Sequence, residues 1–296
     1  MDVSPISIIQ NIASFKSQMI GSLFGSSAEF KGDFLSALLS QQRTSNSAQT
    51  DAVSLLAQSN QAPGLTAAGR NQALFDPESA YKMMTGINNR DVLHKAEFSE
   101  MRKMSGYVEQ IEAVGQGLGS ITTSTPNSDI QAQLQSFAAE YNTLAQRFRP
   151  SVQNGGMLDG VQAAEISLYE LEQSVKNKFF GAKDGMHGLS DLGITIDPLT
   201  KQAMLDTNKL DAVLASNKQA AINTVQEFSA NFAKSADLLN ADGNFIPNRL
   251  ENLSRAIRYI TDHKDSLQAE FGLGDPAKPS KQIGQALAAY NQTYSS

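Results

Sequence analysis

Apolar residues recur three and four positions apart over most of the chain beyond residue 76, and that rhythm predicts helices. Asp76-Pro77-Glu78 reads as a helix start: Asp as N-cap, Pro in the first turn, Glu at the positive end of the dipole. A long helix is expected from there to about Leu118, with Met101, Met104, Val108, Ile111, Gly115 and Leu118 on a heptad seam of the coiled-coil type. Upstream the seam is imperfect, because Ile87 and Phe98 share it with Arg90 and His94. Gly115, Gly117 and Gly119 end the helix, and Thr122 to Asn127 reads as a loop. A second helix carries Ile130, Leu134, Phe137, Tyr141, Leu144 and Phe148, and Arg149-Pro150 is expected to stop it. After a loop over Gln153 to Gly156, a third carries Val161, Ala164, Leu168, Leu171, Val175 and Phe179, with Asp159 as its expected cap. The last strong helix is expected to run unbroken from Pro247 to Phe271 through Leu250, Leu253, Ile257, Ile260, Lys264 and Leu267. Gly272 to Pro276 terminates it, and a tail helix from about Ser280 to Tyr294 places Ile283, Leu287, Tyr290 and Tyr294 on one face.

The period changes between residues 181 and 217. Gly181 to Gly188 breaks the helical pattern, Ile194 and Ile196 then alternate with polar residues, and Ala203 to Asp206 can pair back across the turn at 198–202. Thr207 or Asn208 is expected to cap a helix through Leu210, Val213 and Leu214, and another covers 218–239 before the turn Ala241-Asp242-Gly243. The first forty residues hold two amphipathic pieces: Ile6, Ile9, Ile12 or Phe15, Met19 and Leu23 behind the cap Ser4-Pro5, then Phe30, Phe34, Leu35, Leu38 and Leu39. Isolated short helices of this kind need a partner. Residues 40–74 read as a disordered linker with a short helix at 51–58, since their few apolar side chains cannot offset the entropy of ordering. The expected fold is therefore mainly α, an antiparallel bundle of long heptad-patterned helices with a small β-hairpin insert and a disordered N-terminal region. Its expected divisions are a flexible segment 1–75, a bundle 76–271 with the insert at 189–216, and a tail 272–296.

Composition narrows the function classes. The chain has 296 residues, 18% of them charged, against the roughly 25% usual in soluble proteins, and Ser, Gln, Asn and Thr supply the missing polarity. Its net charge of -6 argues against a general binder of nucleic acid. There is no cysteine, which removes disulfides, thiolate metal sites and cysteine nucleophiles together. No apolar run reaches the ~20 residues of a membrane span, so no membrane insertion is expected. Met1-Asp2-Val3-Ser4 is not basic and Lys16 follows the first apolar stretch, so no secretory signal pattern is expected.

Candidate chemistry is sparse. His94, His187 and His263 are scattered, with no partner at metal-ligand spacing. Gly115-Gln116-Gly117-Leu118-Gly119 follows a helix, whereas dinucleotide and phosphate loops follow a strand. Asn240 to Gly243 resembles the middle of a calcium loop, but Leu238 and Arg249 would occupy its first and last ligand positions. Glu170 and Glu172 fall on different helix faces and are expected to be solvated. No catalytic residue, cofactor or metal ligand is assigned, and an enzyme is not expected.

Three segments carry a family resemblance. Gln135 to Leu144 has a Phe at 137, then Tyr141-Asn142 and an aliphatic residue. Leu189-Ser190-Asp191-Leu192-Gly193-Ile194-Thr195-Ile196-Asp197 is followed by Met204-Leu205-Asp206 and Lys209-Leu210-Asp211. Asp242-Gly243-Asn244-Phe245-Ile246-Pro247 precedes the last long helix. Over residues 130–271 the chain resembles the C-terminal part of flagellar hook-associated protein 2, the filament cap protein family. The β-rich head domains that precede this region in the family have no counterpart here, so a stem-like helical domain without a head is expected.

The resemblance implies structural family positions at Phe137, Tyr141, Asn142, Leu192, Gly193, Ile194, Asp206, Leu210, Asp242 and Gly243. It also implies a secreted structural protein of the bacterial flagellum, exported through the flagellar type III apparatus. Its partners would be itself, axial proteins such as flagellin and hook-associated proteins, and an export chaperone. Ile283, Leu287, Tyr290 and Tyr294 are the candidate assembly contacts. The competing expectation is a cytoplasmic export chaperone or regulator that retains a cap-like domain.

Overall fold

The computed structural model describes residues 64–178 and 186–294. The amphipathic pieces before residue 40, the short helix at 51–58 and Phe179 lie outside them. Contacts divide the chain into two units, one of residues up to Gly86 with His263–Asp275, the other of Ile87–Asp262 with Pro276 onward.

In the first unit, Asp76 caps helix α1 (Pro77–Gly117) as its sequence predicts: its Oδ1 accepts the N–H of Ser79 at 3.0 Å. Hydrogen bonding from the Ser79 side chain, and then from its N–H, holds the Asp76 carboxyl below its usual range. Residues 64–74, expected as the end of a linker, instead make a turn. Leu65 bridges Asn71, and Thr66 N–H donates to Arg70 O at 2.8 Å. Buried Asn71 secures it, donating to Ala269 O at 2.9 Å and accepting from Ala73 N–H at 3.0 Å. Ala269 lies on α6 (Lys264–Phe271). Arg70 pairs with Glu78 and stacks over Tyr81 at 4.4 Å.

The second unit is the bundle. It holds the rest of α1, its continuation in a 3-10 turn (Leu118–Ser120), α2 (Asn127–Val152), α3 (Gln162–Lys176), strands β1 (Ile194–Ile196) and β2 (Ala203–Leu205), α4 (Thr207–Asn240), α5 (Phe245–Asp262) and α7 (Lys281–Tyr294). The predicted seam residues Met101, Met104, Val108, Ile111 and Leu118 are all buried, as are Ile130, Leu134, Phe137, Tyr141, Leu144 and Phe148 of α2. The apolar rhythm thus gives the antiparallel bundle that the sequence predicts. At its centre Phe137 meets Phe228 and Phe232 edge-on, at 5.2 and 5.0 Å between ring centroids. Gly115 lets that cluster close, because a Cβ there would lie 2.5 Å from Cδ1 of Phe232. Ser229 donates to Gly115 O at 2.8 Å and locks the same crossing. Polar ties join other helices: Arg249 forks the Glu97 carboxylate at 2.5 and 2.8 Å, linking α5 to α1.

Several local expectations are corrected. Helix α2 passes Pro150 and ends at Val152. In the last turn the proline forfeits one backbone bond, and Leu158 N–H secures the helix end by donating to Ser151 O at 2.7 Å. Asp159 does not cap α3; Val161 stands at that position, and Asp159 accepts from Gly155 N–H at 2.9 Å. Asp206, rather than Thr207 or Asn208, caps α4 by accepting from Lys209 N–H at 3.1 Å. The two helices expected over 207–239 meet without a loop, because Asn217 (φ -152°, ψ 72°) kinks the chain and its side chain caps Ala220 N–H at 3.1 Å. The helix expected over Pro247–Phe271 is broken at His263 (φ -106°, ψ 11°), and Lys264 of its predicted seam is exposed. A cation there gains more from water than from a packed seam.

Candidate functional site

Six of the ten family-like positions, Asn142, Leu192, Gly193, Ile194, Asp206 and Leu210, gather at the β-hairpin. Ile194, Thr195 and Ile196 pair antiparallel with Leu205, Met204 and Ala203. Ile194 and Ala203 face the core, while Thr195 and Met204 face solvent, as period-two alternation requires. Gly193 closes the pair's open end. Its φ is +93°, and a Cβ there would lie 2.6 Å from the carbonyl oxygen of Asp206. Asp206 N–H donates to Gly193 O at 2.9 Å while its side chain caps α4. Leu192 and Leu210 are fully buried beneath this junction. At the tip, Asp197 accepts from Leu199 N–H, Thr200 N–H and the Thr200 hydroxyl at 3.0, 2.6 and 2.8 Å, which holds its carboxyl below the usual range. That turn leaves Leu199 90% exposed.

Asn142 of α2 acts as a third strand one residue long. Its Nδ2 donates to Ala203 O at 2.9 Å and its Oδ1 accepts Ala203 N–H at 2.6 Å. A strand edge presents unpaired N–H and C=O groups, and the carboxamide satisfies one of each at once.

Glu172 of α3 holds the other side. Its Oε2 accepts from Arg149 of α2 at 2.7 Å, and its Oε1 from Lys176 at 2.6 Å and from Lys201 of the hairpin turn at 3.3 Å. Lys201 adopts φ 60°, uncommon for a side-chain-bearing residue. This corrects the expectation that Glu172 is solvated: it is buried, whereas Glu170 is exposed. Burial pushes the Glu172 carboxyl up, but the bonds from Lys176 and Arg149 outweigh it and the net shift is downward. Tyr141 lies nearby, its phenol raised by burial and partly drawn back by Arg149. A lowered carboxyl contributes stability above its unfolded value, 4.5, and loses it as pH falls from there through the folded value. The urea midpoint of the wild type is therefore expected to exceed that of Glu172→Gln at neutral pH, and the gap to close below about pH 4.5.

The turn at the far end of α4 is built separately. Asn240 accepts the Ser105 hydroxyl and donates to Ser105 O, both at 3.0 Å, and Gly243 turns at φ +79° beside Asp242. The tail positions sit on α7: Ile283, Leu287 and Tyr290 are half-buried, and Tyr294 is 45% exposed. Both tyrosines meet Phe98 of α1 edge-on, at 5.7 and 5.3 Å. His94 of α1 is also half-buried, and burial lowers its imidazole. Among the described residues, no three His, Asp or Glu side chains are grouped to hold an ion.

A scan of protein families matches the model of the flagellar hook-associated protein 2 C-terminus to residues 110–271. The chain belongs to this family. No curated protein and no solved structure matches it. The match to the flagellar hook-associated protein 2 C-terminus ends where the resemblance ends and starts 20 residues earlier (130 against 110), taking in the end of α1. Gly115, whose missing side chain admits Phe232, falls in that added stretch. All ten family-like positions, Phe137 to Gly243, lie inside the match; the four tail positions lie outside it. This family is a structural one of the flagellum. In this member, sequence reading missed the Glu172 cluster. The spacing of Glu172 and Lys176 was a visible signal, but Lys201 lies 29 residues away.

Proposed function

We propose that this chain is a structural, non-enzymatic component of the bacterial flagellum, cap-like in character, that assembles through helix–helix contacts. The family match over the bundle carries this reading. The partners are further copies of the chain and flagellar axial proteins, and the route out of the cell is flagellar export. No described helix is long and apolar enough to cross a membrane. The hairpin adds a candidate contact face: Leu199 at its tip and Met204 on its outer side are 90% and 53% exposed.

Location decides first. Culture medium and sheared flagella from cells with and without a working export gate should be probed for this protein. Appearance outside that depends on the gate is the expected result. Strict retention in the cytoplasm would overturn it and turn the search to export chaperones and regulators. For assembly, Leu287→Asp with Tyr290→Asp is expected to abolish association while the bundle keeps its helical circular dichroism. An unchanged oligomer in light scattering would remove the tail helix from the contact.

A further inference from the structure

We propose that the hairpin turn, through Leu199 and Lys201 together with Lys176 of α3, docks an acidic segment of a partner protein that carries apolar side chains among its carboxylates. The inference deepens the hairpin contact face proposed above, rests on it, and adds the chemistry of the partner. It starts from a mismatch of charge. Among the described residues, Arg149, Lys176 and Lys201 all pair with the one Glu172 carboxylate. Arg149 takes Oε2 at 2.7 Å and Lys176 takes Oε1 at 2.6 Å. Lys201 shares Oε1 from 3.3 Å, the longest of the three, so Glu172 has a partner on each oxygen without it. With Asp197 of the turn counted, three cations still stand against two carboxylates. The side chains of Lys176 and Lys201 are 39% and 36% accessible and that of Glu172 is 7%, so the surface presents the cations and hides their counter-charge.

The backbone supplies the second argument. Lys201 turns at φ 60°, where glycine or asparagine sits with less strain. Strain of this kind collects at binding sites and persists where the surroundings hold it. Here Asp197 holds it: its carbonyl oxygen accepts Lys201 N–H at 2.8 Å, while its Oδ1 accepts from Leu199 N–H, Thr200 N–H and the Thr200 hydroxyl. The same bonds fix Leu199 in its exposed position, so a partner that covers it has little backbone left to order. Accessible cations beside a fixed apolar side chain are complementary to carboxylates interspersed with apolar residues. The occupant is therefore an acidic protein segment.

The probe is a fluorescent peptide of glutamates with leucine at every third position, titrated with the purified full-length chain and followed by anisotropy. Binding that weakens as salt is raised is expected, since the paired charges are accessible to solvent. Lys201→Asn should weaken it about fivefold and Leu199→Ser about tenfold. The urea midpoint of Lys201→Asn should equal or exceed that of the wild type, because asparagine tolerates the same φ. Lys234→Gln, at an exposed position near the C-terminal end of α4, should bind as the wild type does. The proposal is overturned by a peptide that does not bind, or that binds no better than its glutamine counterpart. It is equally overturned if Leu199→Ser keeps full affinity, if Lys234→Gln loses as much as Lys201→Asn, or if Lys201→Asn loses stability and keeps its affinity. Self-association that disappears in Lys201→Asn while the peptide stays unbound would assign the face to a second copy instead. Because purified protein is used, failure here leaves the export result standing, and retention in the cytoplasm leaves the binding result standing.

Discussion

Phe137→Ala is expected to lower the stability of the bundle by about 3–5 kcal/mol, the usual cost of removing a fully enclosed phenyl ring. Phe137 is completely buried and packs edge-on against both Phe228 and Phe232, which are themselves stacked at 5.3 Å. Truncation removes both edge contacts and leaves a hole that cannot easily collapse. On one side α1 already approaches as near as Gly115 allows, and the Ser229 bond to Gly115 O fixes that crossing. Urea unfolding followed by circular dichroism measures the loss. Phe137→Leu should retain part of the stability, because it keeps apolar volume while losing the ring geometry. If the alanine variant unfolds within about 1 kcal/mol of the wild type, the aromatic cluster is not the centre of the core.

Gly193→Ala should cost on the order of 3 kcal/mol, combining a left-handed backbone with an overpacked contact. The φ of +93° disfavours any side chain, and the new Cβ would meet the Asp206 carbonyl oxygen at 2.6 Å. That oxygen is backbone, fixed by the hairpin on one side and by the start of α4 on the other. The strain should therefore open the strand pair and release the Asp206 cap. Hydrogen exchange at the amides of Ala203 and Asp206 should accelerate well before the helices unfold. Gly243→Ala is the control. Gly243 also has positive φ, at +79°, but nothing lies within 4 Å of its added Cβ, so only the backbone penalty of about 1 kcal/mol remains. Equal costs at the two glycines would mean that the Gly193–Asp206 approach does not constrain the hairpin.

These two sites differ in how legible they were. Phe137 stands out in the chain because its neighbours at 130, 134, 141, 144 and 148 repeat the same spacing, and periodicity alone puts it in a core. Gly193 is legible only as a glycine before a short alternating run; that Asp206 O occupies the space of its missing side chain is a fact of the folded hairpin. Asn142 is similar. Its neighbours place it on a helix, but its grip on Ala203 spans 61 residues and depends on α2 lying along β2.

By itself the sequence determined the elements: long helices from the three–four rhythm, one strand pair from alternation, the Asp76 cap and the turn at Gly243. Each is a short-range consequence of side-chain spacing and backbone preference, complete within a few residues. The tertiary structure alone decided the buried setting of Glu172, the approach of Phe232 to Gly115, the break at His263 and the seating of Tyr290 and Tyr294 on Phe98. Packing, charge pairing and desolvation act between groups far apart along the chain, and their balance exists only once the helices have met.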